Sequence, residues 1–261
     1  MTSAALADVH AVRFAIRKIH LSDLKAALRS GLEDFKAMPS HLAFLVAIYP
    51  LATLIAAMAA ARSELLPLVF PLLSGFALIG PLVAIGLYEI SRRRELGLRV
   101  TWDDAFRVLR SPSIGPILAV SVLLGLIYVL WLAVAFAIYF ALFGGTFPSS
   151  AAEFIAQVFT TGRGWMLIVI GCGVGFLFAV VVLAMAAVSF PMLIDRNVEA
   201  NTAIRTSVRA FRENPVPMLT WGAIVAGLLI AGALPLLVGL AVVLPVLGHA
   251  TWHLYRKLVA D

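Results

Sequence analysis

Long uncharged apolar stretches alternate along the chain with short polar ones rich in arginine, the pattern of helices that cross a bilayer joined by segments that stay in water. A hydrocarbon core about 30 Å thick needs roughly 20 apolar residues at about 1.5 Å each. On that measure the pattern predicts six transmembrane helices, at about 41–61, 65–87, 117–143, 165–194, 217–234 and 236–254. The first two are joined by a turn at Arg62, Ser63 and Glu64. Between the third and fourth lies a polar loop in which Ser149 is the expected cap of a short helix over 151–159. The run 215–255 carries no Lys, Arg, Asp or Glu and is too long for one helix, so a break is expected near Pro235.

Charge orients these spans. Six Lys and Arg fall in residues 1–40, six in 91–112, four in 195–215 and two in 256–261, which is 18 of the 20 in the chain. With six spans all four segments lie on one side, and only Arg62 and Arg163 lie opposite. Basic residues collect on the cytoplasmic side of membrane proteins, so the pattern predicts both termini inside. The expected organisation is a cytoplasmic amphipathic segment over 1–40, a six-helix domain over 41–255 and a cytoplasmic tail over 256–261.

A unit recurs before each odd-numbered span. Phe35-Lys36 precedes Pro39, Phe106-Arg107 precedes Pro112, and Phe211-Arg212 precedes Pro215, and no other Phe among the sixteen is followed by a basic residue. Each pair ends an apolar stripe at helical spacing: Leu24, Leu28, Leu32 and Phe35; Trp102, Ala105, Phe106 and Leu109; Ile204, Val208 and Phe211. Ser22, a capping box from Thr101 to Asp104, and Asn201 are the expected starts. A basic amphipathic helix of this kind lies in the headgroup layer, and the proline then turns the chain into the bilayer. The fold expected is therefore an all-α membrane protein of three transmembrane hairpins, each preceded by an interfacial helix.

Composition narrows the function. With 62% hydrophobic and 13% charged residues, against about 25% charged in a soluble domain, the chain is not built as a soluble enzyme, a disordered protein or a nucleic-acid-binding domain. The net charge of +6 then records topology and not a nucleic-acid partner. One cysteine, Cys172, allows no internal disulfide and reads as a small packing residue. No phosphate-binding loop, nucleophile elbow, HExxH or dinucleotide fingerprint occurs.

Two stretches, residues 80–93 (GPLVAIGLYEISRR) and 247–256 (LGHATWHLYR), resemble signature segments of a family of bacterial predicted integral membrane proteins of unknown function. Some members of that family carry a cytochrome c oxidase subunit I label. The resemblance runs from about Ile19 onward and implies a multi-pass protein of the bacterial inner membrane, without supplying an activity. Five His in the whole chain leave no set for a haem and copper centre, and no cofactor is expected.

Ionisable groups at membrane depth are costly, which makes them the first place to look for a site. They gather at the inner ends of the even spans: Tyr88 and Glu89, then Asp195, then His249, His253 and Tyr255, with Arg92 and Arg196 as counter-charges. Asp195 and His249 each stand four residues past a proline, and Glu89 and His253 eight past one, so they keep to one helical face. The expectation is a common vestibule facing the cytoplasm, set against each side chain reaching to its own headgroups. His249 and His253 share a helical face as weak candidates for a metal, with a carboxylate needed to complete it. Gly171 with Gly175, and Gly227 with Ala231, are spaced for close helix packing, while Gly75, Gly80 and Gly86 beside Pro81 suggest a bent span.

The reading that follows is a non-catalytic, membrane-embedded binding or assembly component, whose partners are the lipid bilayer and another membrane protein. The alternatives are a small transporter or channel with its path among the even spans, and a metal-dependent membrane enzyme using His249 and His253. A transporter should carry polar groups near the bilayer midplane, yet these lie at one end.

Overall fold

The computed structural model describes residues 14–260, and the regular structure among these is helical apart from one isolated bridge, Ile16 to Val259. Among the described residues eleven α-helices follow one another: α1 Leu21–Ala37, α2 His41–Ala61, α3 Val69–Val83, α4 Ile85–Glu95, α5 Ile114–Phe143, α6 Ala151–Thr160, α7 Gly162–Ala186, α8 Ser189–Asp195, α9 Ala200–Glu213, α10 Pro215–Ala233 and α11 Leu240–Leu258. Two 3₁₀ segments, Ser63–Leu68 and Trp102–Arg110, lead into α3 and α5. Among the described residues three stretches are long and apolar enough to cross a membrane: Ile114–Phe143, Gly162–Asp195 and Pro215–Ala233. α5 alone, with 30 residues, is about 45 Å long and exceeds the hydrocarbon thickness.

The second apolar run is not one helix. The 3₁₀ turn over Ser63–Leu68 precedes α3, and a break at Ala84 separates α3 from α4. The fourth also breaks, at Ala187 and Val188, where the ring of Pro191 would clash with the carbonyl four residues before it. The Val188 N–H freed there donates to Ser207 Oγ of α9 at 3.2 Å, so the break is also where α9 docks. Near Pro235 the expected interruption is present: α10 stops at Ala233 and a turn over 234–239 leads into α11, with Leu236 and Leu237 in the left-handed region.

The four basic segments meet at one end. α1 packs along α11 more extensively than any other helix pair, and α4 and α8 complete the sheath around the last turns of α11. Gly31 of α1 faces Ala250 so closely that an added Cβ would stand 2.5 Å from the Ala250 nitrogen. The chain ends are tied there too. Arg17 N–H donates to Leu258 O at 2.8 Å, Ala260 N–H to Ala15 O at 3.0 Å, and Asn214 binds both Ile19 N and Arg17 O. At the other end Tyr139 packs with Phe143, Phe147 and Phe154, an aromatic cluster of the type that lines a membrane interface.

Several local expectations need correction. Ser150, not Ser149, caps α6, its Oγ accepting from Glu153 N, while Ser149 binds the Glu153 carboxylate. α1 begins at Leu21 behind a His20 cap reciprocated by Asp23, and α9 begins at Ala200, so Ser22 and Asn201 are not the caps. The Thr101 to Asp104 capping box is present. The buried face of α1 is Leu24, Ala27, Gly31 and Asp34, rotated from the leucine stripe, with Leu32 exposed. A Cβ added at Gly171 or Gly227 would meet nothing within 4 Å among the described residues, whereas one at Gly175 would meet the Trp131 ring. Gly75 lies against the Tyr128 ring and Gly86 against Ala105, so both are packing positions. Cys172 is exposed on the apolar surface of α7 and does not pack inside.

Candidate functional site

The candidates fall into three neighbouring ties around the C-terminal half of α11. The first centres on Asp34, a buried carboxylate on the α1 face that meets α11. Its Oδ2 accepts from Ser91 Oγ at 2.6 Å and from His253 Nε2 at 2.9 Å, and its Oδ1 from Arg94 Nε at 2.7 Å. Burial would raise this carboxyl, but the hydrogen bonds from His253, Ser91 and Arg94 outweigh it and hold the group down at about 2.

Proton bookkeeping then fixes the histidines. Ser91 has one hydroxyl proton, and it goes to Asp34, which as a carboxylate can only accept. The 2.8 Å contact between Ser91 Oγ and His249 Nδ1 must therefore have the histidine as donor. In a neutral His249 that leaves Nε2 without a proton, and no hydrogen bond to Nε2 is formed among the described residues in this buried site. Ser91, His249 and Asp34 are thus wired in the order opposite to a nucleophile triad, where the serine would donate to the imidazole.

The second tie joins α8 to α11. Tyr255 OH donates to Asp195 Oδ2 at 2.6 Å, Arg256 reaches the same oxygen at 3.4 Å, and Arg196 Nε donates to Tyr255 OH at 3.3 Å. Arg196 also holds Ala260 O at 2.9 Å and stacks over Phe14. From α4, Glu95 accepts from Trp252 Nε1 and Arg256 Nε, each at 2.9 Å. The third tie is a relay on α4. Glu89 accepts from Arg92 at 2.8 and 3.1 Å, and Arg93 lies between Glu89 at 3.9 Å and Asp104 at 3.4 Å, with Arg107 2.5 Å from the same Asp104 oxygen.

Of the residues picked out by sequence, His249 and His253 share one network and Asp195, Tyr255 and Arg196 another, while Glu89 pairs with Arg92. Tyr88, His249 and Tyr255 are buried where α4 and α11 pack at this end of the bundle. Among the described residues no three His, Cys, Asp or Glu come together to hold a metal ion. Sequence reasoning missed Asp34, Ser91 and Arg94, which complete the histidine network. The available signal was Asp34 standing in register with Leu24, Ala27 and Gly31 on a face otherwise made of apolar and small residues.

The segment that carries the break at Ala84, the α4 relay and the Asp195 carboxylate also carries the likeness to known proteins. Residues 69–195 match the family model described as predicted integral membrane protein, DUF2189. This is the family that residues 80–93 resemble, and the protein is an integral membrane protein. The matched segment runs from α3 to the end of α8 and contains Tyr88, Glu89, Ser91, Arg92 and Asp195. Asp34, His249, His253 and Tyr255 lie outside it, as does the second resembling stretch, 247–256. No curated protein and no solved structure matches the chain.

Proposed function

We propose that the protein is a non-catalytic binding or assembly component of the bacterial inner membrane, with both termini in the cytoplasm. Six apolar segments enter the bilayer as three hairpins, and the ties among α1, α4, α8 and α11 form a rigid cap on the cytoplasmic end. The observation that carries this reading is that the carboxylates of the cap, Asp34, Glu89, Glu95 and Asp195, are each taken up by donors within it. Asp34 takes three donors, the single Ser91 proton is spent on it, and His249 is fully buried. A catalytic or transport site needs groups left over to meet a substrate.

The segment Trp102–Arg110 supports an interfacial role for the stretches that precede the spans. Asp104 and Val108 turn inward, while Phe106 and Leu109 are 67% and 68% exposed directly before α5. Such an apolar face beside Arg107 and Arg110 suits the headgroup layer. The other two segments differ, since Phe35 is half-buried and Phe211 packs on the core. They serve mainly to build the cap.

Single cysteines in a Cys172→Ala background test the reading. A cysteine at Ser149 should react with an impermeant thiol reagent in intact cells, and one at Gly97 only after the inner face is opened. The reverse result would overturn the orientation. A cysteine at Thr251, beside the Asp34 network, should never react from the outer face; reaction there would favour a transport path.

A further inference from the structure

The α4 helix ends in a left-handed turn at Gly97, and between this turn and the α1 to α2 junction lies a recess of about 680 Å³. Its walls include Met38 and Pro39 on one side and Arg94, Leu98, Thr101 and Trp102 on the other. Two chain segments enter the apolar region beside it, α2 from Pro39 and α5 after the 3₁₀ segment that Trp102 opens.

Three features of this recess point to one ligand chemistry. Arg94 lines it and, among the described residues, uses only Nε for its hydrogen bond to Asp34, which leaves the two terminal nitrogens of its fork for another acceptor. Arg99 lies between the lining residues Leu98 and Val100, and Lys36 adjoins the lining residue Ala37; both are exposed, and neither forms an ion pair among the described residues. Leu98 and Trp102 are 48% and 44% exposed, an apolar and aromatic rim beside the cations. A guanidinium fork binds a phosphate through two parallel hydrogen bonds, and tryptophan settles at the level of lipid headgroups.

We propose that this recess seats the headgroup of an anionic glycerophospholipid of the inner leaflet, its phosphate on Arg94, with the positive charge of Arg99 at the recess edge adding to the attraction, and the start of its acyl chains on Leu98 and Trp102. The inference rests on the cytoplasmic orientation and interfacial placement proposed above. It adds a lipid preference, which a generic basic surface would not have at one defined recess. Asp34 then has a second task, holding the Arg94 side chain in place by its Nε so that the fork is presented ready-made.

The test uses the full-length protein reconstituted in phosphatidylcholine vesicles containing equal fractions of either brominated phosphatidylglycerol or brominated phosphatidylcholine. The fluorescence assigned to Trp102 is the difference between the wild type and Trp102→Phe. Brominated phosphatidylglycerol should quench it several-fold more than brominated phosphatidylcholine. Arg94→Gln and Arg99→Gln should each lower the apparent affinity for the anionic lipid about five-fold, the equivalent of about 1 kcal/mol per basic side chain. Arg99→Gln breaks no ion pair among the described residues, so it reads binding even if Arg94→Gln weakens the cap. Equal quenching by the two lipids, or an anionic preference that survives Arg99→Gln, would overturn the proposal while leaving the interfacial placement intact. If neither lipid quenches Trp102 while the exposed Trp165 is quenched, the interfacial placement fails as well, and the face belongs to a soluble partner.

Discussion

Asp34 of α1 and His253 of α11, 219 positions apart, are joined by a 2.9 Å hydrogen bond that locks the N-terminal helix onto the last one. The same carboxylate holds Ser91 and Arg94 of α4, so one buried charge fixes the relative placement of three helices. Removing a partner from a buried ion pair costs about 3–5 kcal/mol because the other charge is left without compensation. Asp34→Ala should therefore lower the unfolding free energy in detergent by about that amount, whereas Asp34→Asn, which can still accept two of the hydrogen bonds, should lose less. Equal stability of Asp34→Ala and wild type in a thermal or denaturant titration would show that the cap does not depend on this tie.

The same group gives a pH dependence of known sign. Its carboxyl is depressed from an ordinary value of 3.8 to about 2 in the folded protein, so the folded state favours the ionised form. The resulting stabilisation is fully present above about pH 4 and is lost as pH falls toward about 2. The stability difference between wild type and Asp34→Asn should accordingly stay level from neutral pH down to about 4 and shrink below it. A difference that grows on acidification would contradict the assignment of the ionised form.

The apolar runs and the break near Pro235 were legible because a bilayer demands long uncharged helices and proline cannot continue one indefinitely. The face of α1 was not. Hydrophobicity pointed to Leu28, Leu32 and Phe35, but α1 meets α11 at close backbone range, and that contact selects Ala27 and Gly31 for their small size. The pairs Tyr255 with Asp195 and Ser91 with His249 come from different helices and have no local spacing that announces them. What the sequence did convey was their common location: the polar residues at the ends of three apolar runs do lie at one end of the bundle, where they close on each other.

Gly31 offers a direct check of that packing. An added Cβ would press into the Ala250 backbone at 2.5 Å, and backbone on both sides cannot yield as a side chain would. Gly31→Ala should destabilise by about 1–3 kcal/mol despite the better helix propensity of alanine. Gly171→Ala on α7, where an added Cβ would meet nothing within 4 Å among the described residues, should be neutral or slightly stabilising by comparison. The comparison is read from thermal unfolding of both variants in one detergent; equal effects would mean that α1 does not approach α11 so closely.

The turn between α10 and α11 supports a different kind of prediction. Residues 234–239 carry no polar side chain, and Leu234 and Leu236 are 78% and 82% exposed, which suits contact with lipid and not an aqueous loop. Its backbone is closed internally by Leu236 N to Leu234 O, Leu237 N to Ala233 O and Val238 N to Pro235 O. The Leu236 carbonyl accepts from Tyr49 OH at 2.8 Å, and Tyr49 is only eight residues from the start of a 21-residue α2, so the tip is level with the first half of that helix. Irregular backbone in hydrocarbon requires every polar group to be satisfied. Tyr49→Phe should therefore cost about 1–3 kcal/mol by leaving the Leu236 carbonyl without a partner, more than the same exchange costs where water can replace the hydroxyl. Leu236→Asp should reduce the amount of protein recovered from the membrane, because the charge would have to be drawn into lipid. Normal yield of Leu236→Asp, together with no loss of stability in Tyr49→Phe, would place the tip in water and restore an ordinary outer loop between the last two helices.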